Sequence, residues 1–237
     1  MNTLITLCAR GGSKGIPNKN IKLLNGKPLL SYSIDIAQQF SKLFPTDIVI
    51  STDAKDILNV AKEYGITTDY IRPAHLANDT AGKLDSIVDV LIYEEAKKGY
   101  KYDVVLDLDV SSPLRTLNDL KDAYEMLLKD SKAINLFSVN NANRNPYFNM
   151  VEQQNNGYYN LVKKGKFLTR QSCPKVYDLN ASFYFYKRDF FTSSDLNVMS
   201  DFALIYEMKH ICFDLDHLID FDFMEYLILN NKLDFKF

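Results

Sequence analysis

The stretch LCARGGSKGIPNKN, residues 7–20, joins the end of an apolar run to a glycine-rich loop that carries three cationic side chains. These cations are Arg10, Lys14 and Lys19. Glycine lets a backbone approach a ligand closely, and a cluster of cations attracts a crowded anion. The loop therefore predicts a nucleoside triphosphate site at the end of a first strand. It follows neither the GxxxxGK[ST] nor the GxGxxG pattern, and by itself it would equally suit a solvated turn.

Composition limits the class of the protein. The chain has 237 residues, 46% of them hydrophobic and 24% charged, as expected of a soluble globular protein. The net charge of −2 argues against broad binding to nucleic acid or anionic membranes. Cys8, Cys173 and Cys212 share no close spacing, so we expect free thiols rather than a disulfide or a zinc site. The sequence shows no secretion signal or membrane-spanning run, and we expect a cytoplasmic protein.

Strand-like and helical patterns alternate along most of the chain. Short apolar runs predict strands at Thr3–Ala9, Asp47–Ser51, Thr67–Ile71, Val104–Val110, Ala133–Val139, 181–187 and 210–216. Apolar residues at helical spacing predict helices that begin at Pro28, include Ile57 to Ala61, and cover Leu84–Ala96, Leu117–Leu128 and about Leu218–Leu229. Short connections indicate right-handed βαβ units, so we expect an α/β fold with a mostly parallel sheet covered on both faces.

The alternation stops after Val139. The residues that follow are polar, rich in asparagine and aromatic side chains, and show no helical stripe. They predict irregular strands and turns. We therefore expect a single domain over residues 1–237, into which residues 140–180 are inserted as a flap or as a contact between subunits.

Three segments rich in charged and hydroxyl side chains lie at the ends of predicted strands. They are the glycine loop, LDLDVSSPLR at residues 106–115, and FDLD at residues 213–216. Ligands of open α/β sheets bind at the carboxyl ends of the strands, so these segments would combine cations for a triphosphate with hydroxyls and carboxylates for a divalent metal. Asp214 and Asp216 alternate along a predicted strand and would face one cation. Such a pair is more often a turn or a helix cap, Asp216 could cap the last helix, and SSPLR could be only an N-cap.

The order and spacing of five motifs resemble those of the CMP-sialic acid synthetase, or acylneuraminate cytidylyltransferase, family. The motifs are LCARGGSKGIPNKNIKLLNGKPLLSYSI, STDAKDILNVAKEYGI, RPAHLANDTAG, SSPLRT and FDLD, and the resemblance covers nearly the whole chain. That family activates nine-carbon acidic sugars with CTP and magnesium and releases pyrophosphate. The resemblance implies a Rossmann-like nucleotidyltransferase fold, a small inserted dimerisation segment and a homodimer.

The resemblance also implies a role for each matching side chain. The triphosphate would contact Arg10, Gly11, Gly12, Ser13, Lys14 and Lys19, and the cytidine would contact Asn20, Arg72, Asp79, Thr80 and Lys83. The sugar would contact Asp109, Ser111, Ser112, Arg170, Gln171, Asn180 and Tyr184. Mg²⁺ would bind Asp214 and Asp216, with Asp109 as a further candidate ligand. The catalytic residues would be Arg10, Lys19, Asp109, Asp214 and Asp216.

The sugar side departs from the family pattern. Asp109 stands where members that use N-acetylneuraminate commonly have glutamine. Phe148, shortly after Pro146, stands where a lysine is often found, and NAS at Asn180–Ser182 replaces NGA. LDLDV looks more like the branch that activates legionaminic acid, so the resemblance favours a legionaminate-type substrate. Asp109 would accept a proton, bind metal or hydrogen-bond the sugar. The alternatives are an N-acetylneuraminate enzyme, a Kdo-type enzyme and a catalytically silent nucleotide-binding subunit.

Overall fold

The computed structural model describes residues 1–13, 15–193 and 196–236, which form ten β-strands and five α-helices. The strands are β1 (Thr3–Cys8), β2 (Leu23–Leu24), β3 (Lys27–Pro28), β4 (Thr46–Ser51), β5 (Val104–Leu108), β6 (Asn135–Asn141), β7 (Val151–Gln153), β8 (Tyr159–Leu161), β9 (Tyr177–Lys187) and β10 (Ala203–Glu207). The helices are α1 (Leu29–Ser41), α2 (Lys55–Glu63), α3 (Lys83–Lys98), α4 (Leu117–Lys129) and α5 (Leu218–Leu229).

A six-stranded sheet forms the centre of the described chain, in the order β10-β6-β9-β5-β1-β4. Strand β1 lies between β4 and β5 and is parallel to both, and β10 is parallel to β6. Strand β9 is antiparallel to its two neighbours, β5 and β6. Five strands therefore point one way and one points back, which confirms the predicted α/β fold with a mostly parallel sheet.

Helices cover both faces of the sheet, so its strands are buried on both sides. Along β1, Ile5 and Leu7 belong to the larger core, to which α1, α2, α4 and α5 contribute. Leu4 belongs to a smaller core on the opposite face, together with side chains of α3. Successive residues of a strand point to opposite faces, and here both faces are apolar. This is why β1 is a continuous apolar run in the sequence.

The helices form where the sequence predicts them. Helix α1 follows Pro28, whose missing N–H is no loss at a helix start. Helix α4 begins with a capping box between Thr116 and Asp119, one residue beyond the SSPLR motif. Helix α3 ends at Gly99, whose φ of 75° lies in the left-handed region that glycine adopts freely. No helix of the described residues has the length and apolar character needed to cross a bilayer.

The strand predicted at Thr67–Ile71 was wrong, because these residues have no strand conformation. Tyr70 is buried against α3, where its hydroxyl donates to Asp89 Oδ2 at 2.6 Å. Tyr70 therefore packs on a helix instead of extending the sheet beyond β4, and Ile71 is exposed. A short apolar run alone does not distinguish these two outcomes.

The strand predicted at 210–216 was also wrong, since the strand of this region is β10, which ends earlier at Glu207. The N–H of Met208 makes one more bond, to Val139 O, and the chain then passes irregularly along the carboxyl edge of the sheet. Cys212 and Leu215 are buried there, which explains the apolar pattern. The segment keeps one backbone bond to the loop after β5, from Leu215 N to Ser111 O at 2.9 Å.

Residues 142–176 connect β6 to β9 and contain the antiparallel hairpin of β7 and β8. This agrees with the irregular strands and turns predicted after Val139. Several large apolar side chains of the hairpin region are exposed. They are Phe148, Met150, Val151, Tyr158, Tyr159 and Leu168. The role of residues 140–180 in dimerisation stays a prediction.

Candidate active site

A pocket of about 400 Å³ opens at the carboxyl edge of the sheet. Its place follows from the topology, because Arg10 lies just beyond β1, Asp109 directly follows β5 and Lys83 begins α3. The predicted site residues that line it are Arg10, Ser13, Lys19, Asn20, Arg72, Asp79, Lys83, Asp109, Ser111 and Asp216. The three segments that were predicted to converge therefore meet at one edge.

The glycine loop approaches the C-terminal segment so closely that a side chain would not fit between them. A Cβ atom built on Gly15 would lie 2.3 Å from the carbonyl oxygen of Asp216. Gly12 has a φ of 67°, where other residues are strained. Gly11 donates its N–H to Asp53 Oδ1 at 2.8 Å. Gly11 and Gly12 line a smaller cavity beside the pocket and do not line the pocket itself.

Arg10 is neutralised by a carboxylate at the mouth of the pocket. Its Nη2 lies 2.5 Å from Asp79 Oδ1, and both side chains are partly exposed. The carbonyl of Arg10 accepts a hydrogen bond from Asn20 Nδ2 at 2.9 Å, so the buried Asn20 fixes the backbone of the loop. Thr80 is exposed and does not line the pocket. Lys14 lies outside the described residues.

Lys19 connects the glycine loop to the C-terminal segment. Its Nζ donates to Leu215 O at 2.8 Å and lies 3.8 Å from Asp216 Oδ1. The Lys19 side chain is 17% exposed, whereas that of Asp216 is 71% exposed. The ammonium group is therefore set into the wall of the pocket, and the carboxylate extends toward solvent.

Arg72 forms the wall beside β4. Its Nε donates to Ser51 Oγ at 3.0 Å and its Nη2 donates to Ser51 O at 2.7 Å. The backbone N–H of Arg72 also donates to Thr52 O at 2.9 Å. Arg72 is thereby fixed to the carboxyl end of β4 as a buried cation that borders the pocket.

Lys83 lies between two carboxylates, that of Asp107 on β5 and that of Asp109 in the loop directly after it. Its Nζ is 2.7 Å from Asp107 Oδ2 and 2.7 Å from Asp109 Oδ2. The other oxygen of the fully buried Asp107 accepts a hydrogen bond from Thr6 Oγ1 at 2.8 Å. Burial by itself lowers the pKa of Lys83, but the charges of Asp107 and Asp109 raise it well above its usual value. Lys83 is therefore a cation.

Asp109 is a firmly ionised carboxylate. Burial by itself raises the pKa of Asp109, but the charge and hydrogen bond of Lys83 and the hydrogen bonds of Ser111 lower it to about 2. Ser111 donates to Asp109 Oδ1 from both its N–H and its Oγ, each at 2.8 Å. A carboxylate with so low a pKa is a poor proton acceptor near neutral pH. Of the three roles left open for Asp109, that of general base is thus disfavoured.

Asp214 and Asp216 do not lie on a strand, but their charges act on one another. Burial raises the pKa of Asp214 to about 6, and the neighbouring Asp109 and Asp216 carboxylates contribute to the rise. Asp214 Oδ1 is buried without a hydrogen-bond partner among the described residues. The cap of α5 is His217, with Asp220 reaching back to its N–H, so the alternative that Asp216 caps the helix was wrong.

The predicted sugar-side residues divide into two groups. Ser111 lines the pocket, whereas Asn180 and Ser112 are buried in a framework behind it, where Ser112 Oγ donates to Asn180 O at 2.8 Å. The Tyr184 ring lies 5.3 Å from Lys83 Nζ, behind the lining. The structure does not bring Arg170 or Gln171 to the pocket lining; they belong to a 3₁₀ helix in the stretch between β8 and β9, and Arg170 Nη2 donates to Ala142 O.

Three further residues that shape the site were not predicted. They are Asp53, Asp107 and Arg115. Asp107 could have been found, because the predicted strand Val104–Val110 contains both Asp107 and Asp109, and residues two apart on a strand face the same side. Asp53 follows β4 at the carboxyl edge, where the same topological rule applies. The three cysteines are free thiols, as predicted, and burial raises the pKa of Cys8 to about 12.

The fold and pocket define an α/β protein in which a cationic glycine loop and acidic strand ends meet at the carboxyl edge of the sheet, as in nucleotide-binding enzymes. The model of the cytidylyltransferase family matches residues 4–233, and the chain belongs to that family. It is therefore a CTP-dependent nucleotidyltransferase.

Similar proteins extend over nearly the whole chain. A CMP-N,N'-diacetyllegionaminic acid synthase of Campylobacter jejuni is 45% identical over 98% of this chain and 97% of its own length. Post-translational flagellin modification protein B of Campylobacter coli is 42% identical over 98% of this chain and 97% of its own. A pseudaminic acid cytidylyltransferase of Campylobacter jejuni is 30% identical over 96% of each chain.

Solved structures share the fold at low sequence identity. A CMP:2-keto-3-deoxy-manno-octonic acid synthetase complexed with CTP has a TM-score of 0.72 at 14% identity, over 98% of this chain and 100% of its own. A 4-diphosphocytidyl-2C-methyl-D-erythritol synthase from Anaerococcus prevotii has a TM-score of 0.64 at 13% identity, over 96% and 98%. These likenesses confirm the Rossmann-like nucleotidyltransferase fold.

Proposed function

We propose that this cytidylyltransferase activates a nine-carbon acidic sugar with CTP, yielding the CMP-sugar and pyrophosphate, and that a legionaminic acid is its preferred substrate. The observation that carries the proposal is the pocket, in which Arg10 and Lys19 provide positive charge beside the Lys83–Asp109 pair. The 45% identity to a CMP-N,N'-diacetyllegionaminic acid synthase supports the choice of sugar.

The proposed reaction is an in-line displacement at phosphorus. The anomeric hydroxyl of the keto-sugar attacks the α-phosphorus of CTP, the new P–O bond forms, and pyrophosphate leaves. Such a transfer requires positioning and neutralisation of charge more than covalent work by the protein. Lys19 and Arg10 supply the neutralising charge. For Arg10 this means exchanging the Asp79 carboxylate, 2.5 Å away, for a phosphate oxygen.

Magnesium fits the carboxylates of this edge. Asp214 has a buried oxygen without a hydrogen-bond partner among the described residues, and Asp216 lines the pocket with its carboxylate extending toward solvent. No three His, Cys, Asp or Glu side chains of the described residues converge closely enough to hold a metal by themselves. Mg²⁺ commonly binds one or two carboxylates and completes its shell with phosphate oxygens and water. We therefore propose Asp214 and Asp216 as its ligands, where it would polarise the phosphate. Asp109, already paired with Lys83, is the further candidate.

The metal proposal is tested by titrating magnesium. Activity should disappear in EDTA and return with Mg²⁺, and Asp216→Asn should raise the magnesium concentration for half-maximal activity about tenfold, because one anionic ligand is lost. Asp222→Asn, which changes an exposed aspartate on α5, is the control and should leave the titration unchanged. Normal activity of an Asp214→Asn, Asp216→Asn double variant at low magnesium would exclude the pair as ligands.

The substrate proposal is tested by a screen of acidic sugars. Pyrophosphate release is measured with CTP, Mg²⁺ and, in turn, N,N'-diacetyllegionaminic acid, diacetylated pseudaminic acid, N-acetylneuraminic acid and Kdo. We expect the highest kcat/KM with the legionaminic acid. A preference for N-acetylneuraminic acid or Kdo would establish the corresponding alternative. CTP binding without turnover of any sugar would establish the silent nucleotide-binding subunit.

Asp109 stands where glutamine is usual, which suggests that it selects the sugar, but its contacts within the chain argue against that role. A carboxylate near an anionic sugar needs a donor or a cation, and the structure supplies Lys83 and Ser111 within the chain. We therefore expect Asp109→Gln to lower kcat/KM for all sugars alike. If Asp109→Gln instead mainly reduces the difference in kcat/KM between legionaminic and N-acetylneuraminic acid, Asp109 contacts the sugar.

We also propose a cytoplasmic, single-domain protein that forms a homodimer through residues 140–180. The exposed side chains Tyr158, Tyr159 and Leu168 of this segment support the proposal, since a second copy would shield them from water. Sedimentation analysis should show a dimer, and Leu168→Asp with Tyr158→Asp should yield monomers. A monomeric wild-type protein would exclude the dimer.

A further inference from the structure

Arg115 is a buried cation whose partners are all neutral. It is 4% exposed. Its Nη1 donates to Ser112 O at 3.0 Å and to both the carbonyl and, at 3.1 Å, the Oγ of Ser182. Its Nη2 donates to Ser33 Oγ at 2.5 Å and to Asp109 O at 2.9 Å. No carboxylate of the described residues lies within ion-pair distance of Arg115.

These contacts tie three parts of the fold together at one point. Ser33 belongs to α1, Ser182 to β9, and Asp109 and Ser112 to the loop that leaves β5. The planar guanidinium group directs donors to two sides at once, which an ammonium group on a flexible chain does not do. Arg115 therefore sets the path of the loop relative to the sheet and to α1.

The charge of Arg115 is balanced at a distance. A buried cation is costly unless opposite charge lies near it. Burial lowers the pKa of Arg115 to about 10, and the carboxylates of Asp109 and Asp107 act against that change. Lys83 and Arg115 together carry two positive charges, which match the two negative charges of Asp107 and Asp109. Removing Arg115 would leave this group with a net negative charge beside the site proposed for a triphosphate.

Asp109 is consequently fixed at both its backbone and its side chain. Arg115 binds its carbonyl, and Ser182 O accepts its N–H at 3.1 Å. Lys83 and Ser111 bind its carboxylate. We propose that Arg115 is a positioning residue, which holds the loop of residues 109–112 so that the Asp109 and Ser111 side chains face the reacting groups. This inference rests on the proposed transfer of CMP to an acidic sugar.

Two serines of α1 provide a matched test. Ser33 and Ser31 are both fully buried, but Ser33 Oγ accepts from Arg115 and donates weakly to Asp109 O at 3.4 Å, whereas Ser31 Oγ has no hydrogen-bond partner among the described residues. Ser33→Ala should lower kcat at least fivefold and leave the KM for CTP within twofold, because Arg10 and Lys19 are untouched. Ser31→Ala should leave both constants unchanged. Equal kcat values for the two variants would overturn the proposal.

A second pair tests the guanidinium group itself. Arg115→Lys keeps the charge but loses the fork, and should lower kcat about 30- to 100-fold, the scale of a small displacement of reacting groups. Arg188→Lys is the control, since Arg188 binds buried Glu95 at the opposite edge of the sheet. We expect its kcat to stay within twofold of the wild type even where its Tm falls. A kcat of Arg115→Lys within threefold of the wild type would overturn the proposal. The proposal would also be overturned if kcat fell in both variants in proportion to their decrease in Tm.

Hydrogen exchange separates this inference from the proposed function. If the wild-type enzyme turns over none of the nine-carbon acids, the proposed function fails, but the loop can still be measured. The amides of residues 109–112 should exchange at least fivefold faster in Ser33→Ala than in Ser31→Ala. Equal exchange would overturn the role of Arg115. The serine variants and this measurement also decide the matter if Arg115→Lys does not fold.

Discussion

The central sheet has an amino edge and a carboxyl edge, where the corresponding ends of its parallel strands lie. Both edges carry buried carboxylates, but these differ in whether the chain supplies partners for them. At the amino edge, Glu95 Oε1 lies 2.9 Å from Arg188 Nε and Glu95 Oε2 lies 2.6 Å from Lys101 Nζ. At the carboxyl edge, Asp214 Oδ1 is buried without a partner among the described residues. At the same edge, Arg10 forms an ion pair with Asp79, whose carboxylate is partly exposed. The Glu95 carboxylate is satisfied within the chain, whereas the carboxyl edge is arranged for something further.

The difference shows how stability and function are separated along one sheet. Buried polar groups are normally paired, so an unpaired group marks either a cost to folding or a place for a ligand. Burial by itself raises the pKa of Glu95, but the hydrogen bonds of Arg188 and Lys101 lower it. For Asp214 burial prevails and its pKa rises. Substitutions at the amino edge should therefore change stability alone, and those at the carboxyl edge should change turnover as well.

Lys83→Met should produce the largest loss of stability, because it leaves the fully buried Asp107 without its cation. We expect the free energy of unfolding to fall by about 3 kcal/mol, the lower end of the range for a broken buried pair, since Lys83 itself is 36% exposed. Lys101→Met at the amino edge is the control and should cost under about 1 kcal/mol, because Glu95 keeps Arg188. Urea denaturation measures both. Equal losses would show that the two edges do not differ.

Lys19→Ala should lower kcat/KM by about 2–4 kcal/mol in transition-state free energy, the loss expected when one preorganised donor to the phosphates is removed. The fold should remain, because the variant removes one hydrogen bond to Leu215 O. Lys27→Ala is the control, since Lys27 is exposed and pairs with Asp35 outside the pocket. Steady-state kinetics with CTP are the measurement. A near-native kcat/KM would remove Lys19 from the mechanism.

His210 should affect stability in a pH-dependent way. Its Nε2 lies 2.8 Å from Asp119 Oδ2 and its Nδ1 lies 3.0 Å from Ile211 O, so only the imidazolium donates at both positions. Burial by itself lowers the pKa of His210, but the Asp119 hydrogen bond raises it above 6.5. A pKa raised by folding contributes stability that is complete below the unfolded value of 6.5 and is lost as the pH rises through the folded-state pKa.

His210→Gln should therefore be less stable than the wild type by on the order of 1.5 kcal/mol below pH 6.5, the value of one charged hydrogen bond, and the two should converge at higher pH. Unfolding free energies measured across this range, with exposed His75→Gln as control, test the expectation. A difference that stays constant with pH would mean that the charge of His210 contributes nothing.

Ala181→Gly should give the smallest effect and the only gain. Ala181 has a φ of 55°, in the left-handed region that costs an alanine about 1 kcal/mol. Glycine relieves this strain but loses more chain entropy on folding, so we expect a net gain of about 0.5 kcal/mol. Ala96→Gly, exposed on α3, should instead cost about 0.5–1 kcal/mol. Thermal denaturation compares them, and a loss at Ala181 would show that its backbone is not strained.

The helices and the position of the site could be predicted from the sequence because they depend on local patterns. Helical stripes repeat over several turns, as in α3 and α4, and loops after parallel strands must share one edge. The two wrong strands had only five and seven residues, too few for a pattern to separate a strand from a buried irregular segment. Cys212 and Leu215 are as buried in such a segment as they would be in a strand.

The pairing of charges within the site could not be predicted. Lys83 and Asp109 are 26 residues apart, and Lys19 and Leu215 are 196 apart. Their contacts depend on how three-dimensional packing brings separate loops together. Asn180 illustrates the same limit. Its side chain accepts a hydrogen bond from Ser138 and donates one to Asn140 behind the pocket, which a motif match does not reveal.

The position of β9 has a consequence for how the chain is made. Strand β9 lies between β5 and β6, pairing Lys187 with Val104 and Tyr186 with Asn135. A nascent chain that has emerged only as far as α4 holds β4, β1 and β5, with the edge of β5 still open. Unpaired edges invite association with other chains, and pairings between distant residues form slowly. The two halves of the sheet can join only once residues 177–187 have left the ribosome, so folding is completed late in synthesis.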